Sequence, residues 1–174
     1  MLNKSFPELQ TKRLLLRQLK KQDAQSLFNL RSNVQINTFI NRNIPRNNQE
    51  IKEFIGDRNN DFEADKLVFW AICLQINPTL IGTISLWNFN AEHTVAEIGY
   101  ELHPNFQNQG LMSEAIAEVC NYAFNELKLK MIEAFTHKEN LISQKLIRRL
   151  GFVLNADRYD ENVKNNLIFE KTNA

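Results

Sequence analysis

Leu102-His103-Pro104-Asn105-Phe106-Gln107-Asn108-Gln109-Gly110-Leu111-Met112-Ser113-Glu114 joins the end of an apolar strand pattern to the start of the clearest helix pattern in the chain. The loop between them is polar, and Gly110 is its only glycine. The first amides of a helix have no partner within it, and the helix dipole places partial positive charge there, so such a junction suits an anion such as a pyrophosphate. The dipole contributes about 0.3–1 kcal/mol at an exposed end and up to about 2 kcal/mol when partly buried. Many ordinary strand-to-helix turns also carry a glycine. On these residues alone, an ordinary turn and a phosphate site both stay open.

Downstream of the junction, the pattern predicts a helix from about Leu111 to Lys128. Glu114, Glu118, Asn121 and Asn125 form one polar stripe, and Ala115, Ile116, Val119, Cys120, Ala123, Phe124 and Leu127 cover the rest. Upstream, Val95 to Leu102 reads as a strand containing Gly99, and a glycine there marks a bulge or a close approach by a neighbour. Leu67 to Ile76 and Leu80 to Leu86 read as an antiparallel hairpin around Asn77-Pro78. Toward the N-terminus, 13–18 reads as a strand and Asp23 to Arg31 as a helix. A polar loop, 41–48, follows, and then a short helix carrying Ile51, Phe54 and Ile55. Toward the C-terminus come a strand at Met131 to Thr136, a helix at Leu141 to Leu150, and a closing hairpin of Phe152 to Leu154 and Val163 to Phe169. Strands at both ends with helices between them predict an α/β or α+β fold.

The totals agree with one domain spanning residues 1–174. A chain of 174 residues buries about 70% of the surface its unfolded form exposes. Hydrophobic residues make up 43% and charged residues 24%, which argues against disorder. A net charge of +1 supplies no field that attracts a polyanion, so nucleic acid is not an expected partner. Cys73 and Cys120 lack any metal-ligand spacing and read as buried structural thiols in a reducing compartment. His93, His103 and His137 have no metal-ligand spacing either, and no metal is expected. No segment reaches the roughly 18 apolar residues of a membrane span, and 1–10 lacks a signal-peptide run, so the cytoplasm is the expected location.

Gln107-Asn108-Gln109-Gly110-Leu111-Met112 resembles the coenzyme A signature of the GNAT superfamily of N-acetyltransferases, Gln/Arg-x-x-Gly-x-Gly/Ala. It departs from the pattern at Met112. A methionine keeps the backbone amide that the pyrophosphate needs, provided its side chain turns into the core. The resemblance covers nearly the whole chain and is closest to the branch that acetylates ribosomal-protein N-termini. Leu9 to Arg17 looks like that branch's opening strand, and Ala96 to Leu102 like its fourth. Asn140-Leu141-Ile142-Ser143 with Leu150-Gly151-Phe152 looks like its late helix. The resemblance implies a mixed, mostly antiparallel sheet of about six or seven strands flanked by about four helices. It also implies acetyl-CoA as co-substrate, a possible homodimer, and a sheet that splays beside the Glu97 to Leu102 strand. Pantetheine would then bond the backbone near Leu102 and His103, and the pyrophosphate would meet the segment holding Gln107, Asn108, Gln109, Gly110, Met112 and Ser113.

Acetyl transfer needs a neutral amine, a donor for the oxyanion and a proton for the leaving thiolate. The resemblance makes Glu97 the candidate base; the other reading is a surface carboxylate on an alternating strand. An α-amine with a pKa of about 7.7–8.0 is roughly one-third neutral at about pH 7.5, so a protein N-terminus needs little base catalysis. Many GNAT enzymes carry an acidic tyrosine seven residues after the asparagine of the late helix, but Ile147 stands there. Ser143 matches the serine that approaches the sulfur in the ribosomal-protein branch, and is otherwise a polar residue of a first helical turn. Asn140 matches the residue that bonds pantetheine, and is otherwise a helix N-cap. Trp70, Trp87, Phe69 and Phe89 read as core or as wall of the acceptor cleft, and 41–48 as the place for acceptor contacts. The expected activity is acetyl transfer to a primary amine, foremost a protein N-terminus. The alternatives are a small-molecule amine acetyltransferase acting on a polyamine, amino sugar or aminoglycoside, and a non-catalytic acyl-CoA-binding domain.

Overall fold

The computed structural model describes residues 5–173. In chain order these form β1 (Leu9–Gln10), β2 (Leu14–Gln18), α1 (Ala24–Arg31), α2 (Asn48–Glu63), β3 (Val68–Leu74), β4 (Asn77–Trp87) and β5 (Val95–Leu102). They continue with α3 (Leu111–Asn125), β6 (Met131–His137), α4 (Leu141–Arg149), β7 (Val153–Leu154) and β8 (Asn166–Thr172). The strands make one sheet in the order β1-β2-β3-β4-β5-β6-β8-β7.

Strand alternation divides the core into two layers. Trp70 and Ile72 of β3 point to one face, where they meet Leu14, Leu16, Ile84, Ile98 and the apolar side of α3. Ala71 and Cys73 point to the other, against Leu27 and Leu30 of α1 and Ile51 and Ile55 of α2. Helix α3 buries Leu111, Met112, Ala115, Ile116, Val119, Cys120, Ala123 and Phe124, the side its sequence predicts. Ile147 of α4 joins the same layer. Each fully buried large apolar side chain stabilises the fold by about 1.5–3 kcal/mol. Trp70, wholly buried, satisfies its indole N–H on the Pro7 carbonyl at 2.7 Å. Both cysteines are buried free thiols, and burial pushes Cys73 up to about 11 and Cys120 to about 12.

All neighbouring strands pair antiparallel except β5 and β6, which run parallel across the crossover made by α3. Their pairing spans only Val95↔Met131, Ala96↔Ile132 and Glu97↔Glu133. Beyond Glu97, β5 runs on to Leu102 beside β4, and β6 runs on to His137 beside β8. The sheet therefore opens along that line.

The fold class agrees with the sequence, and the details differ for local reasons. The described residues form eight strands because β1 is a two-residue pairing with Leu15 and Leu16, too short to show a period. The β3–β4 turn falls at Gln75-Ile76, upstream of Asn77-Pro78. Pro78 lies within β4 next to a register shift, where the ladder tolerates a missing N–H. Helix α2 is long, sixteen residues, and is started by Asn47, whose side chain accepts from the Gln49 and Glu50 amides. Gly99 makes no bulge. It faces Ser85 in unbroken register, and a Cβ there would lie 3.2 Å from Ser85 Oγ.

At the end of β5, a Cβ on Gly82 would lie 2.5 Å from the Glu101 carbonyl oxygen and 2.8 Å from Leu102 Cδ1. Gly82→Ala must push β4 and β5 apart. It is expected to cost about 1–3 kcal/mol in urea unfolding, the range for an overpacked core. Gly56→Ala in α2, where a methyl meets nothing within 4 Å, is expected to stabilise by about 0.5–1 kcal/mol.

Candidate active site

The turn before α3 has the form an anion needs. Asn108 (φ 60°) and Gly110 (φ 75°) both adopt the left-handed conformation, and glycine does so without strain at the N-cap of the helix. Among the described residues, the amides from Asn108 to Ser113 find no acceptor, and the first bond of the helix runs from the Glu114 N–H to the Gly110 carbonyl. Met112 is only 8% exposed and lies in the core layer under α3, so its side chain leaves the turn clear.

The open edge of β5 supplies backbone groups. The His103 N–H donates to the Ile81 carbonyl at 2.8 Å, so the odd-numbered residues of β5 turn their main-chain groups to β4. Those of Ile98, Tyr100 and Leu102 turn to the opening. The sequence assigned pantetheine bonding to Leu102 and His103. However, the Leu102 carbonyl already accepts from Gln107 Nε2 at 2.8 Å, and the His103 amide is spent on β4. The groups that remain with no strand opposite them are the Leu102 N–H and, one step earlier, the N–H and carbonyl of Tyr100.

Tyr100 is the residue that sequence reasoning missed. Its hydroxyl lies 2.8 Å from Ser143 Oγ, tying β5 to the first turn of α4 across the opening. Burial pushes this phenol up to about 12, with the Ser143 bond offsetting part of the rise. Asn140 caps α4, its Oδ1 accepting the Ser143 N–H at 3.1 Å. The cap uses its oxygen and leaves its Nδ2 as a donor on the cleft, which half-buried Asn140, Ser143 and Tyr100 all line. The period-two placement of Tyr100, two residues before Leu102, was the available signal.

Glu97, Gly99 and Glu101 point to the α1/α2 face, and Tyr100 to the α3/α4 face. A ligand threaded through the opening therefore meets Ser143 and Tyr100 from one side and Glu97 from the other. Glu97 is half-buried beside Trp87 and Asn88 on the cleft. Burial pushes its carboxyl up to about 7; the Asn88 side chain opposes the rise, and the charges of Asp160 and Glu133 add to it. The same mouth carries Asp157, Asp160 and Glu161. Its one nearby arginine, Arg158, is already engaged by Glu133 and Glu170. The opposite mouth, around α3 and α4, carries Lys145 and Arg149.

The segment between α1 and α2 bridges both walls. Arg42 Nη2 approaches Glu101 Oε2 at 2.6 Å, a buried ion pair without hydrogen-bond geometry, and Arg31 Nη1 lies 3.7 Å from the same carboxylate. Burial, then repulsion from Arg42, lowers Arg31 to about 10, while Glu101 opposes the fall. Phe39 stacks on His137 at the end of β6, with ring centroids 5.4 Å apart. The cleft-lining part is thus 35–41, upstream of the predicted 41–48, because Arg42 turns inward as the anchor. Of the four aromatics, Trp70 is core, while Trp87 is 43% exposed and lines the cleft. Phe69 packs on Phe54, and Phe89 stacks on His93.

Among the described residues, no group of three or more His, Cys, Asp or Glu is placed to hold a metal, and no helix is long and apolar enough to cross a membrane. The family described as the acetyltransferase (GNAT) domain matches residues 13–153. The uncharacterized N-acetyltransferase YoaA of Bacillus subtilis is 32% identical over 147 residues, which are 84% of this chain and 83% of that protein. RimL, a ribosomal L7/L12 alpha-N-protein acetyltransferase solved with coenzyme A, shares the fold at TM-score 0.79 and 17% identity, over 93% of this chain and 95% of that one. The microcin C7 self-immunity acetyltransferase MccE, solved with acetyl-CoA and AMP, shares it at TM-score 0.78 and 22% identity, over 93% of each chain. With an anion-ready turn, an opened sheet and a hydroxyl pair at the opening, the chain belongs to the GNAT family and is an N-acetyltransferase that uses acetyl-CoA.

Proposed function

We propose that the acceptor is the N-terminal α-amine of a protein, such as a ribosomal protein, and that Glu97 is its base. The observation that carries this reading is the position of Glu97. It is a carboxylate pushed up to about 7 on the side of the opening away from Ser143, so it holds or releases a proton near neutrality. An α-amine titrating near about 7.7–8.0 needs no stronger base. Attack of the neutral amine on the thioester carbonyl forms the C–N bond. Collapse of the tetrahedral intermediate then breaks the C–S bond, and Glu97 takes the amine proton directly or through a water.

The leaving thiolate needs a donor, and in this reading Ser143 is that donor. With the Tyr100 hydroxyl donating to Ser143 Oγ, the Ser143 hydroxyl is free to donate to sulfur. Asn140 Nδ2 and the Tyr100 main chain are the pantetheine contacts in this reading, and the turn from Asn108 to Ser113 holds the pyrophosphate. The ribosomal-protein substrates of RimL and its relatives support the protein N-terminus as acceptor. A second reading has a specific observation behind it: Glu97, Asp157, Asp160 and Glu161 make the acceptor mouth acidic, which also suits a polyamine.

Mass spectrometry of acetyl transfer to a panel of N-terminal peptides, spermidine, amino sugars and aminoglycosides tests the acceptor. Modification of a peptide α-amine is the expected result, and modification of spermidine alone would move the assignment to the polyamine.

With Glu97 as base, kcat is expected to fall as pH drops through about 7, and Glu97→Gln to lower it by about 10²-fold or more at pH 7.5. An unchanged rate would remove Glu97 from the chemistry.

The same residue makes a stability prediction. The folded protein keeps a proton on Glu97 that the unfolded chain has lost above its usual 4.5, so this group weakens the fold as pH rises from about 4.5 to 7. Glu97→Gln is therefore expected to melt higher than the parent at pH 8 and equally at pH 4.5.

A further inference from the structure

The opening strand of the fold is tied to the coenzyme turn by one arginine. Arg13, just before β2, donates from Nη1 to the Gln109 carbonyl at 2.9 Å and from Nε to Glu114 Oε2 at 2.7 Å. Its own backbone N–H donates to Glu114 Oε1 at 2.9 Å, and the Thr11 hydroxyl donates to that same oxygen. Glu114, in the first turn of α3, is drawn below the usual carboxylate range by these bonds despite its partial burial. The clamp thus joins residues about a hundred positions apart and ends on the one carbonyl of the turn that matters for an anion.

The reason lies in the peptide unit. The Gln109 carbonyl and the Gly110 N–H belong to the same planar group, and all peptide bonds among the described residues are trans, so the two point in opposite directions. While Arg13 holds the Gln109 oxygen toward its guanidinium, the Gly110 N–H must point away from Arg13. Were that peptide to flip, the carbonyl dipole would face the anion in place of an amide. Gly110 at φ 75° has two easily reached backbone conformations, so the turn alone does not choose between them. The Gln109 carbonyl is also the oxygen to which the Ser113 amide would bond if the helix began one residue earlier. With Arg13 occupying it, that amide has no partner among the described residues.

We infer that Arg13 is a positioning residue for the pyrophosphate: by fixing the Gln109 carbonyl outward, it aims the Gly110 amide and the first amides of α3 at the coenzyme. This rests on the turn being the coenzyme site. Arg13 itself needs no contact with the ligand, and the pantetheine contacts lie on β5 and α4, away from it.

The test is an NMR titration of the whole protein with coenzyme A and, separately, with pantetheine, which has the same arm but no pyrophosphate. Arg13→Gln is expected to weaken coenzyme A by about 10- to 100-fold, the order of one lost hydrogen bond to a charged group, and to leave pantetheine affinity nearly unchanged. Arg13→Lys keeps the charge without the two-pronged reach and is expected to fall between; it serves if the glutamine variant does not fold. Equal weakening of both ligands would mean Arg13 only supports the fold, and no weakening of either would mean the turn orients itself. Either result overturns the inference and leaves the coenzyme site standing. Failure of the parent protein to bind coenzyme A would overturn the site and the inference together.

Discussion

The parallel pairing of β5 with β6 lasts three residues and then ends, and the function of the molecule depends on that short ladder. A parallel pair needs a crossover, and α3 supplies it, so the helix that starts at the coenzyme turn also sets the spacing of the two strands. Past Glu97 each strand is held by its outer neighbour, β5 by β4 and β6 by β8. The main-chain groups of Tyr100 are left facing a gap. Buried backbone groups without partners are costly, so a gap of this kind is stable when water or a ligand satisfies them. A linear amide-bearing arm such as pantetheine fits that need.

The gap also joins two faces that the sheet would otherwise separate. On one side are Ser143, Tyr100 and the amides before α3, with Lys145 and Arg149 nearby; on the other are Glu97 and the acidic mouth. In the proposed reading an anionic coenzyme and an amine acceptor enter from these opposite sides and meet at the thioester. The bridge of Arg42 to Glu101 and Phe39 to His137 spans the two diverging strands on the Glu97 side. Arg31 stands on the other oxygen of the same carboxylate, so Glu101 is held between two cations and anchors the bridge on the β5 side.

Much of this was legible in the sequence because local chemistry dictates it. The apolar side of α3, the glycine at its N-cap and the alternation of β3 and β5 follow from period and conformation. Asn140 as a cap follows from its side-chain oxygen. What the sequence could not show depends on long-range placement. The Tyr100 and Ser143 hydroxyls are 43 positions apart, and Arg13 and Glu114 are 101 apart, so no local pattern pairs them. The rise of the Glu97 carboxyl follows from burial by neighbouring strands. The occupation of the Leu102 and His103 backbone follows from Gln107 folding back and from the register with β4. The 157–163 segment lines the Glu97 mouth with irregular structure, which has no period to read.

Amide hydrogen exchange, followed residue by residue with and without coenzyme A, reads the backbone groups that the opened sheet leaves free. Strong slowing is expected at Tyr100 and at the amides from Asn108 to Ser113, with β3 and β8 unchanged. Protection confined to other strands or spread evenly over the sheet would contradict this, since the gap between β5 and β6 would then not be where the coenzyme lies.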